Sequence, residues 1–235
     1  MGATRLSFRA IVLLLIASSS VNRGVAQNSA AGTIPAGVSF AYKFENPRFY
    51  IPLMEIDLAV DGSGEMRFKR GESDEMLDLK FKLMPSTLAR IQQLREASKF
   101  LTSDADYQDK RDFSHLGWIS LSARQGELFR KVRFNYTLNP EIRELADIFR
   151  GVATQEIHVF DMAIAQQYQP LDLPRKLEAL ENDLRLERLA EPERMLAPLR
   201  EIAGDDTQAL IARNHANRII ESIRKGKFKS PVKNR

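Results

Sequence analysis

Apolar and polar side chains alternate with a period of two between Val38 and Leu83, and this alternation constrains the fold more than any other feature. Successive side chains of a strand point to opposite sides of a sheet, so the pattern predicts strands with one buried face. The glycines of Asp61-Gly62-Ser63-Gly64 tolerate positive φ, which predicts a hairpin turn. Four strands are expected, with the inward-facing side chains Val38, Phe40, Tyr42, Phe44, Met54, Ile56, Leu58, Val60, Met66, Phe68, Leu77, Leu79, Phe81 and Leu83.

After Leu83 the apolar spacing changes to that of a helix. The expected start is near Pro85, where Ser86 and Thr87 offer hydroxyls that can cap the first turn. One face of this helix is apolar, formed by Leu88, Ile91, Leu94, Ala97 and Leu101.

A polar loop over 102–117 is followed by two further strand patterns, at 118–123 and 128–135. Asn139-Pro140 predicts a second helix, because asparagine is a good cap and proline suits the first helical position. The order β-β-β-β-α-β-β-α predicts an α+β fold in which an antiparallel sheet carries its helices on one face.

From Thr154 onward the strand pattern is replaced by helical spacing. The expected helices cover 155–169, 174–189, 192–203 and 205–225. The interval from Pro170 to Pro174 marks the boundary between a mixed body and this all-helical part. The predicted organisation is an α+β domain at 38–169, a helical hairpin extension at 170–225 and a basic tail at 226–235.

The hairpin Pro192–Lys225 resembles a single HEAT repeat, the helical unit of α-solenoids. The residues that carry the resemblance are Ala197-Pro198-Leu199, Asp205-Asp206, Arg213, Ala216, Ile220 and Ile223. The gap between the acidic turn and the arginine is longer than in the usual repeat. Because stacked repeats need about three units or more to bury their apolar faces, a single copy is expected to pack its apolar face against the body. An ordinary helical hairpin packed on the body is the alternative. The mixed body looks like small secreted bacterial domains of unknown function.

The first 26 residues have the pattern of a secretory signal peptide. Arg5 and Arg9 precede the apolar run Ile11–Ala17, and Gly24-Val25-Ala26 supplies small residues for cleavage between Ala26 and Gln27. The apolar run is shorter than the roughly 20 residues that span a bilayer, so no transmembrane segment is expected after processing. A secreted or periplasmic protein is predicted, with a disordered linker at 27–37. A buried N-terminal helix is the alternative.

Cysteine is absent, which excludes disulfides, thiolate nucleophiles and cysteine zinc sites. An exported protein of this size without disulfides is typical of a bacterial envelope. The formal charge of +4 falls to +1 without the arginines of the leader, and six cations lie in 224–235, so the rest of the mature chain is about −5. The basic tail is therefore predicted to contact an anionic surface component. A solvated terminus is the alternative.

The three histidines do not form a recognisable catalytic or metal-binding motif. His115, His158 and His215 are not spaced as paired ligands. His158 and Asp161 are three residues apart on a predicted helix and can touch, as a surface pair. Ser114-His115 follows Asp112, but adjacency in the chain is not the geometry of a catalytic triad.

An acidic group, Asp104, Asp106, Asp109 and Asp112, lies in the polar loop. A calcium loop of the EF-hand type starting at Asp104 requires glycine at Asp109 and glutamate at His115, and neither is present. The positive charges of Lys110 and Arg111 would also repel a cation bound in this loop. The interpretation is a solvated loop, and no metal and no cofactor are predicted.

Basic residues on the outer faces of the strands are interpreted as the polar side of a half-buried sheet. They are Arg67, Lys69, Lys80, Lys82, Arg130, Lys131 and Arg133, and they alternate with Glu55, Asp57 and Asp78. A basic stripe is the alternative. Nucleic acid is not expected as a partner. Export would separate the protein from nucleic acid, and no platform of aromatic and basic residues is evident.

These observations predict an exported, non-catalytic binding protein that contacts a protein or an envelope component through its helical hairpin and basic tail. The alternative is an exported hydrolase whose active site is assembled from scattered loop residues. The oligomeric state is left open.

Overall fold

A computed structural model of the chain describes residues 37–71, 73 and 75–230. The elements are β1 (Val38–Glu45), β2 (Leu53–Ala59), β3 (Ser63–Phe68), β4 (Leu77–Lys82), α1 (Pro85–Ala97), β5 (Trp118–Gln125), β6 (Leu128–Phe134), α2 (Pro140–Tyr168), α3 (Leu173–Arg185), α4 (Leu196–Gly204) and α5 (Leu210–Arg224). Single 3₁₀ turns occur at Ser114–Leu116 and Pro192–Met195. The predicted leader with its Ala26–Gln27 cleavage site, linker residues 27–36 and tail residues 231–235 lie outside the described residues.

The six strands form one sheet in the order β4-β3-β2-β1-β5-β6, and every neighbouring pair is antiparallel. The predicted α+β class and the order β-β-β-β-α-β-β-α are confirmed. None of the described helices is long and apolar enough to cross a membrane.

The inner face of the sheet packs against α1 and α2 to form the first core. Phe149 of α2 stacks on Tyr42 with ring centroids 5.6 Å apart, and Phe160 meets Phe68 edge-on. Of the predicted inward side chains of β2 and β3, Ile56, Leu58, Met66 and Phe68 are buried, Met54 is partly buried, and Val60 is 68% exposed. Val60 follows the end of β2 and lies in the turn, where the alternation no longer applies, so that prediction was wrong.

The two glycines of the predicted hairpin turn have different roles. Gly62 has φ +82 and lies in the turn, as predicted. Gly64 lies inside β3, and a Cβ at this position would be 2.2 Å from Cζ of Phe81. Gly64 therefore provides space for the Phe81 ring on the neighbouring strand rather than conformational freedom.

The start of α1 is held by a distant carboxylate rather than by the predicted hydroxyls. The N-cap is Met84, without a side-chain cap, and its N–H donates to Glu191 Oε1 at 2.7 Å. Thr87 is buried in the first turn. Ala97, predicted on the apolar face, is exposed.

Helix α2 is one helix of 29 residues where two separate helical segments were expected. Its start is as predicted, because the Asn139 side chain accepts from the N–H of Ile142 at 2.9 Å. Gly151 interrupts the sequence pattern but not the helix. A Cβ on Gly151 would be 2.8 Å from the backbone N of Ala190, so glycine lets the chain after α3 cross α2 closely.

A second core surrounds the C-terminal half of α2 and is built from α3, α4 and α5. Helix α5 begins at Leu210 rather than at the predicted Asp205. Asp205 Oδ1 instead accepts from the N–H of Thr207 at 3.0 Å and from its hydroxyl at 2.6 Å, which forms a turn before the helix.

Buried polar side chains join the two cores. Gln155 accepts from the N–H of Glu191 at 2.9 Å and donates to Glu156 at 3.1 Å. Arg194 forms an ion pair with Glu156 at 3.1 Å. Burial raises the pKa of Glu156, although the Arg194 guanidinium opposes this shift.

Candidate functional site

The β5–β6 hairpin presents a row of polar and cationic side chains on the outer side of the sheet. Gly126 has φ +59 and closes the turn, which places Gln125 opposite Leu128. Alternate residues of β5 belong to the first core, namely Ile119, Leu121 and Ala123. The residues between them therefore face outward, namely Trp118, Ser120, Ser122 and Arg124.

The pairing register surrounds two serines with long cationic side chains. On β6, Arg133 lies opposite Ser120 and Lys131 lies opposite Ser122. On β1, Lys43 lies opposite Ser120 and Ala41 lies opposite Ser122. We call Lys43, Arg124, Lys131 and Arg133 the cationic face, and we call Ala41, Ser120 and Ser122 its floor. Neighbouring strands are about 4.7–4.9 Å apart, so these cationic side chains lie next to the floor residues, and we call the cationic face together with its floor the basin.

Aromatic rings support both arginines of the cationic face. The guanidinium carbon of Arg133 lies 4.5 Å from the ring centroid of Trp118, and that of Arg124 lies 5.0 Å from the centroid of Phe129. Contacts of this kind are attractive because the ring face is electronegative. They hold each guanidinium in place before any ligand binds, which lowers the entropic cost of binding.

Carboxylates neutralise only part of the cationic face. Lys43 pairs with Glu45 at 2.9 Å and with Glu55 at 3.3 Å, and Glu45 also reaches Arg133 at 3.9 Å. Partial burial disfavours the charged form of Lys43, but these carboxylates outweigh it and raise the pKa of Lys43. Within the described part of the chain, Arg124 and Lys131 form no ion pair, so the basin remains positive.

The hydroxyls of the floor are available to a ligand. Ser120 and Ser122 are 8% and 7% exposed, as expected for small side chains among longer ones. Neither hydroxyl forms a hydrogen bond with another described residue, and neither is among the fully enclosed polar atoms without a partner. Each hydroxyl therefore keeps both its donor and its acceptor capacity.

The loop residues that suggested nucleophilic chemistry form a local turn. Asp112 Oδ1 accepts from the N–H of Ser114 at 2.7 Å, and Asp112 Oδ2 accepts from its hydroxyl at 3.2 Å. The backbone carbonyl of His115 accepts from Asn46 at 3.0 Å. The Ser114 hydroxyl is thus bonded to Asp112 and not to the His115 ring.

The acidic loop is organised by hydrogen bonds within the protein. Asp106 and Asp109 each accept from a backbone N–H two residues further on, at 3.0 Å. Hydrogen bonds from Arg111 lower the pKa of Asp109. Asn135, beyond β6, donates to Asp112 at 2.8 Å and so ties the loop to the sheet. Among the residues described, no group of three or more His, Asp or Glu side chains is arranged to hold a metal ion.

The prediction that His158 pairs with Asp161 was wrong. His158 Nε2 lies 2.8 Å from Asp183 on α3, whereas Asp161 is occupied by Arg70 and Lys176. The hydrogen bond from His158 lowers the pKa of Asp183. Sequence spacing within one helix could not reveal a partner that a second helix brings closer.

His215 also pairs with α3, because its Nε2 lies 2.8 Å from Glu181. The carboxylates of α3 therefore attach this helix to α2 on one side and to α5 on the other. We assign both histidine contacts to helix packing.

The helical hairpin and the start of the basic tail pack on the protein. Arg213 pairs with Asp206 at 2.6 Å, which connects α5 to the turn that precedes it. Phe228 packs against the second core, and the Ser230 hydroxyl donates to the carbonyl of Ala190 at 2.6 Å. Lys227 and Lys229 remain exposed beside these contacts.

The cationic face was anticipated from the sequence only as the alternative of a basic stripe, because no platform of aromatic and basic residues was evident. The information needed to find this face lies in the register of the β5–β6 hairpin. The turn at Gly126 places Arg124 opposite Phe129, Ser122 opposite Lys131, and Ser120 opposite Arg133. Reading β5 and β6 separately hides this arrangement.

The chain matches no protein-family model and no curated protein. The resemblance of Pro192–Lys225 to a HEAT repeat and the predicted export therefore stay predictions.

Proposed function

We propose that this chain is an exported, non-catalytic binding protein that recognises an anionic component of the cell envelope or surface through its cationic face. The observation that carries the proposal is the basin on the outer side of the sheet. There, two cations without carboxylate partners among the described residues border two hydroxyls that have no hydrogen bond.

The charge of the basin is a local feature rather than the result of a generally basic protein. Without the leader and the basic tail, the chain carries a formal charge of about −5. Cations gathered on one part of an acidic body attract an anionic ligand to that part, while the net negative charge of the remainder repels it. This favours a specific surface over diffuse attraction.

Support for binding rather than hydrolysis comes from the residues offered for each. The loop residues Asp112, Ser114 and His115, which are close together in the chain without forming a recognisable triad, take part in a turn and in loop contacts. The basin residues are held in place by stacking and by strand register. Among the described residues, Arg124, Lys131 and the two serines of the floor have no ion-pair or hydrogen-bond partner. Preorganised groups of this kind favour recognition.

The predicted leader identifies the compartment in which the ligand would be found. An envelope offers acidic polymers and anionic headgroups, and both carry the charge that the cationic face attracts. The exposed Lys227 and Lys229 of the tail offer a second, weaker contact.

The test is binding of the purified protein to immobilised anionic polymers at several salt concentrations, comparing wild type with Lys131→Gln. We expect weaker binding by up to about fivefold, since an exposed ionic contact is worth about 0.2–1 kcal/mol. The salt dependence should also become shallower, because one fewer ionic contact is screened.

Lys80→Gln is the matched control, because Lys80 is exposed on the outer face of β4, away from the basin. It should leave both quantities unchanged. Equal effects of the two substitutions, or no binding of any polyanion by the wild type, would exclude the cationic face as the binding surface.

A further inference from the structure

The geometry of the floor points to the chemical group that the basin binds. Resting on the function proposed above, we propose that Ser120 and Ser122 together bind one tetrahedral oxyanion, a phosphate or sulfate group of a larger ligand. The cationic face then compensates the charge of that group.

The separation of the two hydroxyls suits one such group. Ser120 and Ser122 are two residues apart on β5, which corresponds to about 6.6–6.8 Å along the strand. A hydrogen bond from a hydroxyl to an oxygen spans about 2.7–2.8 Å. When the two hydrogen bonds incline towards each other, the distance between their two acceptor positions matches the separation of two oxygens in a single oxyanion. A single group placed above the floor can therefore accept from both serines.

The surrounding cations favour a tetrahedral oxyanion over a carboxylate. A carboxylate has two oxygens, and both would be directed at the floor. A phosphate or sulfate group has further oxygens that point away from the floor, towards Lys131 and Arg133 on one side and Lys43 on the other. Contacts in which both partners are charged are stronger than neutral hydrogen bonds, so these further oxygens add affinity.

The small side chain of Ala41 gives the group room to approach. Ala41 lies opposite Ser122, so the floor is low on the β1 side at that position. The rings of Trp118 and Phe129 lie beneath arginines. Because their faces are covered, nucleic-acid bases would gain little from stacking there, and a phosphate polymer without bases should bind as well as single-stranded DNA.

The experiment compares two polymers that differ in their anionic group, inorganic polyphosphate and polyglutamate, at equal charge concentration and ionic strength. Wild-type protein should bind polyphosphate more tightly. In the double variant Ser120→Ala and Ser122→Ala we expect polyphosphate affinity to fall by about tenfold or more, since hydrogen bonds to charged groups are lost. Polyglutamate affinity should be almost unchanged.

Ser86→Ala, on an exposed serine of α1, is the control and should change neither affinity. Inorganic phosphate titrated into wild-type protein should shift the amide NMR signals of β5, and this shift should disappear in the double variant. Single-stranded DNA of equal charge should bind no more tightly than polyphosphate.

The outcomes separate the two proposals. If Ser120→Ala and Ser122→Ala weaken both polymers equally or neither, while Lys131→Gln still weakens both, the oxyanion proposal is wrong and the cationic face remains the binding surface. If no polymer binds, the proposed function itself is wrong. Markedly tighter binding of DNA would identify a nucleic-acid ligand instead and would overturn the inference.

Discussion

The two faces of the sheet are built from the same strands but serve different purposes. On the inner face, Tyr42, Ile56 and Leu121 lie side by side on three neighbouring strands, and each is almost completely buried. On the outer face of those strands, Lys43, Glu55 and Ser120 are neighbours. The inner face obtains its stability from burial of apolar area, whereas the outer face contributes little to stability and can carry binding groups.

This division explains why function can be placed on the sheet without endangering the fold. Replacing an outer side chain changes charge and hydrogen-bonding capacity, while the core beneath it keeps its packing. Substitutions on the inner face should therefore change stability much more than substitutions on the outer face.

The adjacent residues Phe81 and Lys80 of β4 provide the sharpest contrast. Phe81 is 7% exposed and packs in the first core, whereas Lys80 points to solvent. Phe81→Ala should lower the free energy of unfolding by about 3–5 kcal/mol, because it leaves a cavity. Lys80→Ala should change it by less than about 0.5 kcal/mol. Urea denaturation measures both, and similar values would mean that the two faces are not energetically distinct.

Gly64→Ala tests how tightly the inner face is packed. The added Cβ would overlap the Phe81 ring, so the ring or the strand must move. A loss of about 1–3 kcal/mol is expected from such overpacking. Gly204→Ala is the control, since a Cβ there meets no atom within 4 Å. If thermal melting finds the two variants equally stable, the inner face is more adaptable than its geometry indicates.

The smallest effect concerns Asp57 on the outer face. Burial raises the pKa of Asp57, as do Glu55 and Glu65, while Arg67 at 3.0 Å opposes the shift. A folded-state pKa above the unfolded value of about 3.9 means that the folded protein binds the proton more tightly. This contribution to stability therefore increases as the pH falls from neutral through the raised pKa, and it is lost again as the pH rises.

Asp57→Asn should remove that pH dependence and change the stability at neutral pH by under about 1 kcal/mol. Chemical denaturation at several pH values between 3 and 7 measures it. Asp78→Asn, on the exposed outer side of β4, is the control. If the stability of Asp57→Asn changes with pH as steeply as that of the wild type, the pH dependence comes from other groups.

Much of the fold could be predicted because burial leaves a periodic trace in the sequence. Alternation identified β1 to β4, with Phe40, Met66 and Phe68 in the core. It failed at Val60, where the strand had already ended. The pattern Asn139-Pro140 identified the start of α2, but the sequence did not indicate that the helix continues through Gly151, because that glycine is explained by the backbone of Ala190 nearby in space.

The site was harder to predict than the fold, because its parts come from three strands. Lys131 and Arg133 were correctly placed on the outer surface, but not as a frame around Ser120 and Ser122. The same placement was wrong for Arg130, which lies opposite the buried Ala123 and donates to the carbonyl of Phe100 at 2.9 Å, because adjacent strand residues face opposite sides of the sheet. The predicted contact site, the basic tail, has its first residues packed on the second core through Phe228. Single-strand patterns reveal which side a residue faces and do not reveal its neighbours on the next strand.

The number and order of the strands and the buried side of β1 to β4 follow from the sequence, because local spacing and apolar burial leave a periodic trace along the chain. Tertiary structure alone decided the contacts between distant segments, such as the Glu191 carboxylate at the start of α1 and Asp183 beside His158. It also decided that Lys43, Lys131 and Arg133 surround two serines. Such contacts depend on strand order, register and helix placement, and these are set by the packing of the whole chain.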